Sequence, residues 1–200
     1  MRAIAIVALA VAAIVTPKVD LPANPTACPS STEVKLLTPF QQGSLGIGIA
    51  VTSRRSGECF TGSVALPARP DAWRCTIGNA IHDPCFQDVM GDPHQLACPA
   101  APWEANVTLL TLTSPLPTEA RKDFELKNTL PWALELTNGR RCTLFTGATA
   151  PIAGMRINYG CPGGFIVVGD IDRSQPVWRA FSQGEKSISL DLTDIAVAWY

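Results

Sequence analysis

The sequence predicts a mainly β fold, a disulfide-stapled antiparallel sandwich or barrel with a loop-rich N-terminal half. From Val107 onward, runs of β-branched and apolar residues recur about every ten residues, with Gly and Pro between them. No long amphipathic helix pattern interrupts these runs. Seven cysteines are available to form the disulfides. A length of 200 residues suits one ordinary domain or two small ones.

The first sixteen residues have the layout of a secretory signal peptide. Arg2 precedes an uncharged apolar run from Ala3 to Val15, which is shorter than the roughly 20 residues that a membrane-spanning helix needs. No Ala-x-Ala triplet ends the run, so an uncleaved N-terminal anchor is the alternative. Residues 17–43 are then a Pro-rich lead, and residues 44–200 a single mostly β domain. We therefore expect a secreted or cell-envelope protein with no further transmembrane segment.

The cysteines predict three disulfides and one unpaired thiol, because thiols in an exported compact domain tend to pair. They are Cys28, Cys59, Cys75, Cys85, Cys98, Cys142 and Cys161. Cys28 lies in the Pro-rich lead, before any strand pattern, and is expected to be the unpaired one. The number of cysteines alone does not determine how the other six are paired. The absence of Cys-x-x-Cys argues against a thiolate metal site and against a redox dithiol.

An internal similarity favours one set of pairs. Cys59 and Cys142 are each followed by a Phe-Thr-Gly tripeptide, then a proline and an arginine, and each segment ends in an aromatic residue two positions before a cysteine. Two copies of one hairpin-like unit would link the first cysteine of each segment to its last, although chance similarity is the alternative. The pairs favoured in this way are Cys59–Cys75, Cys142–Cys161 and, by elimination, Cys85–Cys98.

Charge and missing motifs narrow the function classes. Lys plus Arg number 16 against 17 Asp plus Glu, with no basic block, which argues against nucleic-acid binding. Neither Gly-x-Ser-x-Gly nor Ser-x-x-Lys occurs. His82 adjoins Asp83, but neighbours on an extended segment point to opposite sides, so the pair does not suit general-base catalysis. Nothing selects two of the candidate carboxylates Asp71, Asp83 and Glu135 for glycoside hydrolysis. We predict no catalytic residue.

Two patterns that could bind a metal ion are incomplete. His82, Asp88, Asp92 and His94 lie close in sequence but lack the spacing of zinc motifs. The run 170–174 begins like a calcium loop, yet it lacks the glycine and the final glutamate that such a loop requires. The sequence therefore predicts no metal site and no other cofactor.

The five tryptophans divide between core and surface. Trp132, Trp178 and Trp199 lie in strand-like runs and are predicted to fill the β core. Trp73 and Trp103 lie in the loop-rich half and are the candidate surface residues for ligand binding.

Two stretches carry a resemblance. They read Asp71-Ala72-Trp73-Arg74-Cys75 through Asp83-Pro84-Cys85-Phe86, and Pro131-Trp132-Ala133-Leu134 through Asn158-Tyr159-Gly160-Cys161. Over residues 57–200 the chain resembles exported proteins of unknown function from GC-rich Gram-positive bacteria. The resemblance implies an extracytoplasmic location and brings no activity.

The sequence therefore favours a secreted or cell-envelope binding or structural domain whose ligand it does not identify. The alternative is a secreted hydrolase whose site is assembled from residues distant in sequence.

Overall fold

The computed structural model describes residues 29–118 and 125–200, and it confirms the mainly β prediction. The strands in chain order are β1 (Glu33–Lys35), β2 (Phe40–Gln41), β3 (Ser44–Leu45), β4 (Ala50–Gly62), β5 (Ala72–Ile77), β6 (Ala80–Gln87), β7 (Gln95–Cys98), β8 (Asn106–Leu112), β9 (Ala133–Leu136), β10 (Arg141–Leu144), β11 (Pro151–Ile152), β12 (Met155–Cys161), β13 (Phe165–Asp172), β14 (Arg179–Gln183) and β15 (Asp191–Trp199). Short 3-10 helices cover Leu126–Asn128 and Pro162–Gly164.

Strands β4 to β8 form a closed barrel, here called the N-terminal barrel, in which each strand pairs with the next along the chain. Successive strands of such a meander alternate in direction, so with five strands the first and the last run the same way. Closure therefore requires a parallel pairing, and β4 pairs in parallel with β8 from Ala50↔Asn106 to Gly57↔Leu112. This pairing joins segments that lie more than 50 residues apart.

Two disulfides occupy much of the interior of the N-terminal barrel. The disulfides Cys59–Cys75 and Cys85–Cys98 are both formed, and all four cysteines are buried. They pack in one cluster with three apolar side chains, Trp73, Leu96 and Leu110. A five-stranded barrel encloses little space, and two covalent cross-links occupy it together with these side chains.

The C-terminal barrel consists of β9, β10, β12, β13, β14 and β15, again joined in chain order. An even number of strands allows an antiparallel closure, and β15 pairs in this way with β9. The third disulfide, Cys142–Cys161, links the neighbouring strands β10 and β12. All three cysteine pairs expected from the internal similarity are thus at disulfide distance, and the similar segments are two pairs of adjacent antiparallel strands.

A second hydrophobic cluster, distinct from the one inside the N-terminal barrel, contains residues of both parts of the chain. Leu66 and Phe86 come from the N-terminal part and pack in the same cluster as Trp132 and Tyr159 of the C-terminal part. The rings of Phe86 and Trp132 meet edge to face, 6.2 Å apart. Trp132 is buried, as predicted. This cluster joins the two barrels, which is compatible with the predicted single domain.

Part of the predicted lead belongs to these sheets. β1 pairs in parallel with β15, and β2 forms a hairpin with β3. The predicted signal peptide, residues 17–28 and Cys28 lie outside the described residues. In the described part of the chain, no helix is long and apolar enough to cross a membrane.

Asn138-Gly139, between the strand-like runs 132–137 and 141–145, predicts a hairpin with a type I′ turn. The β9–β10 hairpin forms there, but with a different turn. A type I′ turn would need a positive φ at both Asn138 and Gly139. Only Gly139 has one, at 81°, and its N–H bonds to the Leu136 carbonyl. The geometry is that of a type I turn followed by a left-handed glycine, the usual three-residue variant.

Two strand predictions near polar segments are wrong. The apolar run from Leu45 to Val51 predicts a strand that ends in a turn at residues 54–57, whereas these four residues lie in the middle of β4. The alternating pattern of Ser187–Leu192 also predicts a strand, but β15 begins only at Asp191. There the Ser187 hydroxyl bonds the backbone of Ser189, a local alternative to strand pairing.

Candidate functional site

The predicted surface tryptophans occupy different environments. Trp73 is 7% exposed and lies in the interior cluster of the N-terminal barrel, so its prediction as a surface binding residue is wrong. Trp103 is half-buried, with its ring 5.4 Å from the guanidinium carbon of Arg141 on the other barrel. Its exposed part keeps it a candidate contact residue, while the stacked arginine also gives it a structural function between the barrels.

All three candidate carboxylates are ion-pair partners of arginines. Asp71 accepts two hydrogen bonds from the Arg69 guanidinium, the shorter at 2.6 Å. Glu135 binds Arg141 with one oxygen and the Trp199 indole N–H with the other, both at 3.0 Å. Each carboxylate is oriented by its own neighbours in the sheet.

Asp83 is the centre of a buried polar network. Its side chain is 3% exposed, and it accepts hydrogen bonds from the Ser63 hydroxyl and from the backbone N–H groups of Val64 and Ala65. Arg74 lies 3.6 Å away and also donates to the Thr146 carbonyl of the C-terminal barrel. Burial raises the pKa of Asp83, and the hydrogen bonds oppose that rise. The carboxylate fixes the chain as it leaves β4.

The residues considered for metal binding do not assemble. Asp88 caps the backbone N–H groups of Met90 and Gly91, and Asp92 caps that of His94. Within residues 29–118 and 125–200, no group of three His, Cys, Asp or Glu side chains could hold a metal ion.

A concave opening in the N-terminal barrel, here called the barrel mouth, is set by where β5 ends. β5 pairs with β4 only from Glu58 to Gly62, whereas β8 pairs with β4 from Ala50 to Gly57. At Gly57 the Thr76 carbonyl comes so close that a Cβ would collide with it. Before Gly57, β4 has no described strand on its β5 side, and the barrel opens there.

Polar side chains continue the interior faces of the strands into the mouth. Arg55 lies opposite the buried Leu110 in the β4–β8 register, and Ser53 lies opposite Thr108. Residues opposite one another in a sheet place their side chains on the same face, and alternate residues share a face. Arg55 therefore lies on the interior face of the barrel, at its open end.

On the other wall, His82 of β6 lies opposite the buried Cys75. Ile77, at the end of β5, shares a face with that cysteine. The resulting depression measures about 540 Å³ and is lined by Ser53, Arg55, Ser56, Ile77, Gly78, His82 and Thr108. The hydroxyls of Ser53 and Thr108 are 3.0 Å apart and hydrogen-bonded.

Arg55 is the permanent charge of the mouth. Burial lowers the pKa of His82 below 6.5, so this imidazole is neutral at pH 7. Among the residues that the structure describes, no carboxylate lines the depression. In the described ranges Arg55 forms no ion pair and no hydrogen bond, and the same holds for its neighbour Arg54; both side chains are exposed. The other described arginines are bound to carboxylates or carbonyls: Arg69, Arg74, Arg140, Arg141, Arg156, Arg173 and Arg179.

A second concavity, the inter-barrel cleft, is apolar and measures about 320 Å³. Val64 and Leu130 line it from the two sides, and Phe145 covers its rim, 42% exposed. The Phe145 ring lies directly on Gly160, where any Cβ would displace it. Arg156 at the same rim is held by the carbonyls of residues 145 and 147 and by Asn158. The Arg156 guanidinium is thus already hydrogen-bonded within the protein.

Comparison with family models, with curated proteins and with solved structures gives no match to this chain. The candidate site therefore rests on geometry and chemistry alone.

The sequence reasoning missed Arg55 because residues 54–57 have the composition of a turn. One signal pointed the other way. Residues 53, 55, 57 and 59 alternate along β4, so Arg55 shares a face with Cys59. A cysteine predicted to form a buried disulfide thus marks the interior face of this strand.

Proposed function

We propose that this chain is an extracytoplasmic binding domain whose ligand site is the barrel mouth. One observation carries the proposal: among the described residues, two disulfides and large apolar side chains fill the interior of the N-terminal barrel, whereas polar groups line its open end. Barrel mouths are a common position for small-molecule sites, and about 540 Å³ lies within the usual range of roughly 300–1,000 Å³.

The cross-links suit a binding function because they hold the mouth in one shape. Cys59 lies four residues from Arg55 on β4, and Cys75 faces His82 across the β5–β6 pair. Both walls are thereby tied to the same disulfide. A site that is ordered before its ligand arrives loses little conformational entropy on binding.

An extracytoplasmic location is compatible with three disulfides in a small β protein. The apolar run at residues 3–15 and the resemblance to exported bacterial proteins support secretion as part of this proposal.

Neutral fragments test the position of the site without assuming the ligand. The oxidised protein is titrated with phenol, acetamide and methyl glucoside while backbone amide spectra are recorded. We expect the shifts to concentrate at residues 53–56, 77–82 and 108, because a preformed depression binds small probes weakly wherever they are small enough to enter.

A blocking variant and a matched control sharpen this experiment. Ser53→Trp places an indole on the interior face of β4, in the lining of the mouth, and should abolish the shifts, whereas Ile188→Trp adds the same group at a fully exposed position and should leave them unchanged. Shifts that gather around Val64 and Phe145 would instead move the site to the inter-barrel cleft. Turnover of an ester or a glycoside by the wild type would favour the hydrolase alternative.

A further inference from the structure

We infer that the barrel mouth binds a small organic anion, with Arg55 and the hydroxyls of Ser53 and Thr108 holding its carboxylate, sulfate or phosphate group. This inference rests on the proposed function, since it names the ligand chemistry of that site. The observations that carry it are the charge balance of the lining, the position of Arg55 and its lack of a partner in the described part of the chain.

The charge balance of the mouth is one-sided. In the described part of the chain, its lining contains a guanidinium, an imidazole and three hydroxyls, and no carboxylate. The nearest acidic residues along the strands are Glu58 and Asp83. Glu58 alternates with the buried Cys59 and so lies on the outer face of β4. The Asp83 carboxylate is bound to Ser63 and its neighbours. Neither neutralises Arg55.

Arg55 and Arg54 are both exposed, but they lie on opposite faces of β4. Arg54, the adjacent residue, lies on the outer face of the barrel, where a solvated guanidinium needs no partner. Arg55 begins on the interior face, beside the paired hydroxyls of Ser53 and Thr108. Its planar fork can bind two oxygens of one oxyanion, and hydroxyls beside it can donate to a third oxygen.

The other lining residues indicate the chemistry of the part of the ligand that does not carry the acid group. Ile77 is partly buried and supplies an apolar surface, and Gly78 leaves the adjoining rim free of a side chain. Neutral His82 can donate or accept one hydrogen bond. An acid group attached to a hydroxylated, sugar-sized body matches this combination and the volume of the depression.

Calorimetric titration of the oxidised full chain tests the inference with three probes of one shape: glucuronate, glucose 6-phosphate and glucose. We expect at least one of the two anions to bind about tenfold or more tightly than glucose, since a bidentate charged contact contributes about 1.4 kcal/mol or more. The two anions differ in their acid group, so their order of affinity identifies the preferred one. Added salt should weaken the binding of the anion and leave the binding of glucose unchanged.

Variants of neighbouring arginines provide the control. Arg55→Ala should remove the advantage of the anion over glucose, and Arg55→Lys should restore part of it, because lysine keeps the charge without the fork. Arg54→Ala removes the same charge from the outer face and should change the affinity by less than about twofold. The unfolding midpoint of each variant shows that it is folded.

The outcomes separate the two proposals. Glucose and neutral fragments that bind at the mouth as tightly as both anions would overturn the inference and leave the proposed function standing. Anion binding that is unaffected in Arg55→Ala would overturn the inference as well. If neither anions nor neutral fragments reach the mouth, both the inference and the proposed function are wrong.

Discussion

Replacing Cys59 and Cys75 together with alanine should lower the free energy of unfolding by about 3–5 kcal/mol. The disulfide closes a loop with a sequence separation of 16 residues, which restricts the unfolded chain by about 3 kcal/mol, and the lost sulfur contacts in the barrel interior add to this. Alanine is preferred to serine because both positions are buried and a hydroxyl would need a partner there. Urea unfolding followed by tryptophan fluorescence measures the change.

Two comparisons make this result specific. Cys28→Ala, at the cysteine that the sequence predicts to be unpaired, should leave the stability within about 0.5 kcal/mol of wild type. The double variant should also lose fragment binding at the barrel mouth, because the disulfide ties both of its walls. A loss of stability below about 1 kcal/mol in the double variant would show that the N-terminal barrel does not depend on this cross-link.

Asp83→Ala should lower the free energy of unfolding by about 2–4 kcal/mol. The substitution leaves the Ser63 hydroxyl and the N–H groups of Val64 and Ala65 without their acceptor, and it removes the carboxylate beside Arg74. Chemical unfolding of the variant measures the loss.

Asp170→Ala is the matched control for Asp83. Asp170 is an exposed carboxylate on β13 without a hydrogen-bonded partner in the described ranges, so its loss should change stability by no more than about 0.5 kcal/mol. Equal effects at the two positions would contradict the view that the Asp83 network holds the chain after β4.

The same carboxylate gives stability a defined pH dependence. Because burial raises the pKa of Asp83 above 3.8, the folded protein keeps this proton to a higher pH than the unfolded chain does. The favourable contribution is therefore complete below pH 3.8 and is lost as the pH rises through the folded pKa. The stability of wild type relative to Asp83→Asn should fall over that range. A relative stability that rises with pH would mean that the hydrogen bonds to the ionised form outweigh its burial.

Local signals in the sequence predicted the parts of the fold that depend on local structure. The Asn138-Gly139 dipeptide located the β9–β10 hairpin because a glycine in the left-handed region suits a tight turn. The similarity between the segments that start at Cys59 and Cys142 predicted the disulfides because each segment is a pair of adjacent strands, which brings its two cysteines together.

The barrel mouth was not predictable in the same way, because it depends on contacts between distant segments. Closure by β8 places Thr108 beside Ser53 across 55 residues, and no turn signal encodes that pairing. Arg55 belongs to a hydrophilic stretch that becomes a strand only through this partner. Trp73 is buried for a related reason, since closure of the barrel around four cysteines also encloses it.

The N-terminal barrel is closed around two disulfides, and we propose that this chain is oxidised to that state outside the cytoplasm. Peptic digestion of the exported protein without reduction, followed by mass spectrometry of the cross-linked peptides, tests it most directly. The account predicts three linked pairs, Cys59 with Cys75, Cys85 with Cys98 and Cys142 with Cys161. Recovery of the protein from the cytoplasm with these cysteines reduced, or with other partners, would contradict it.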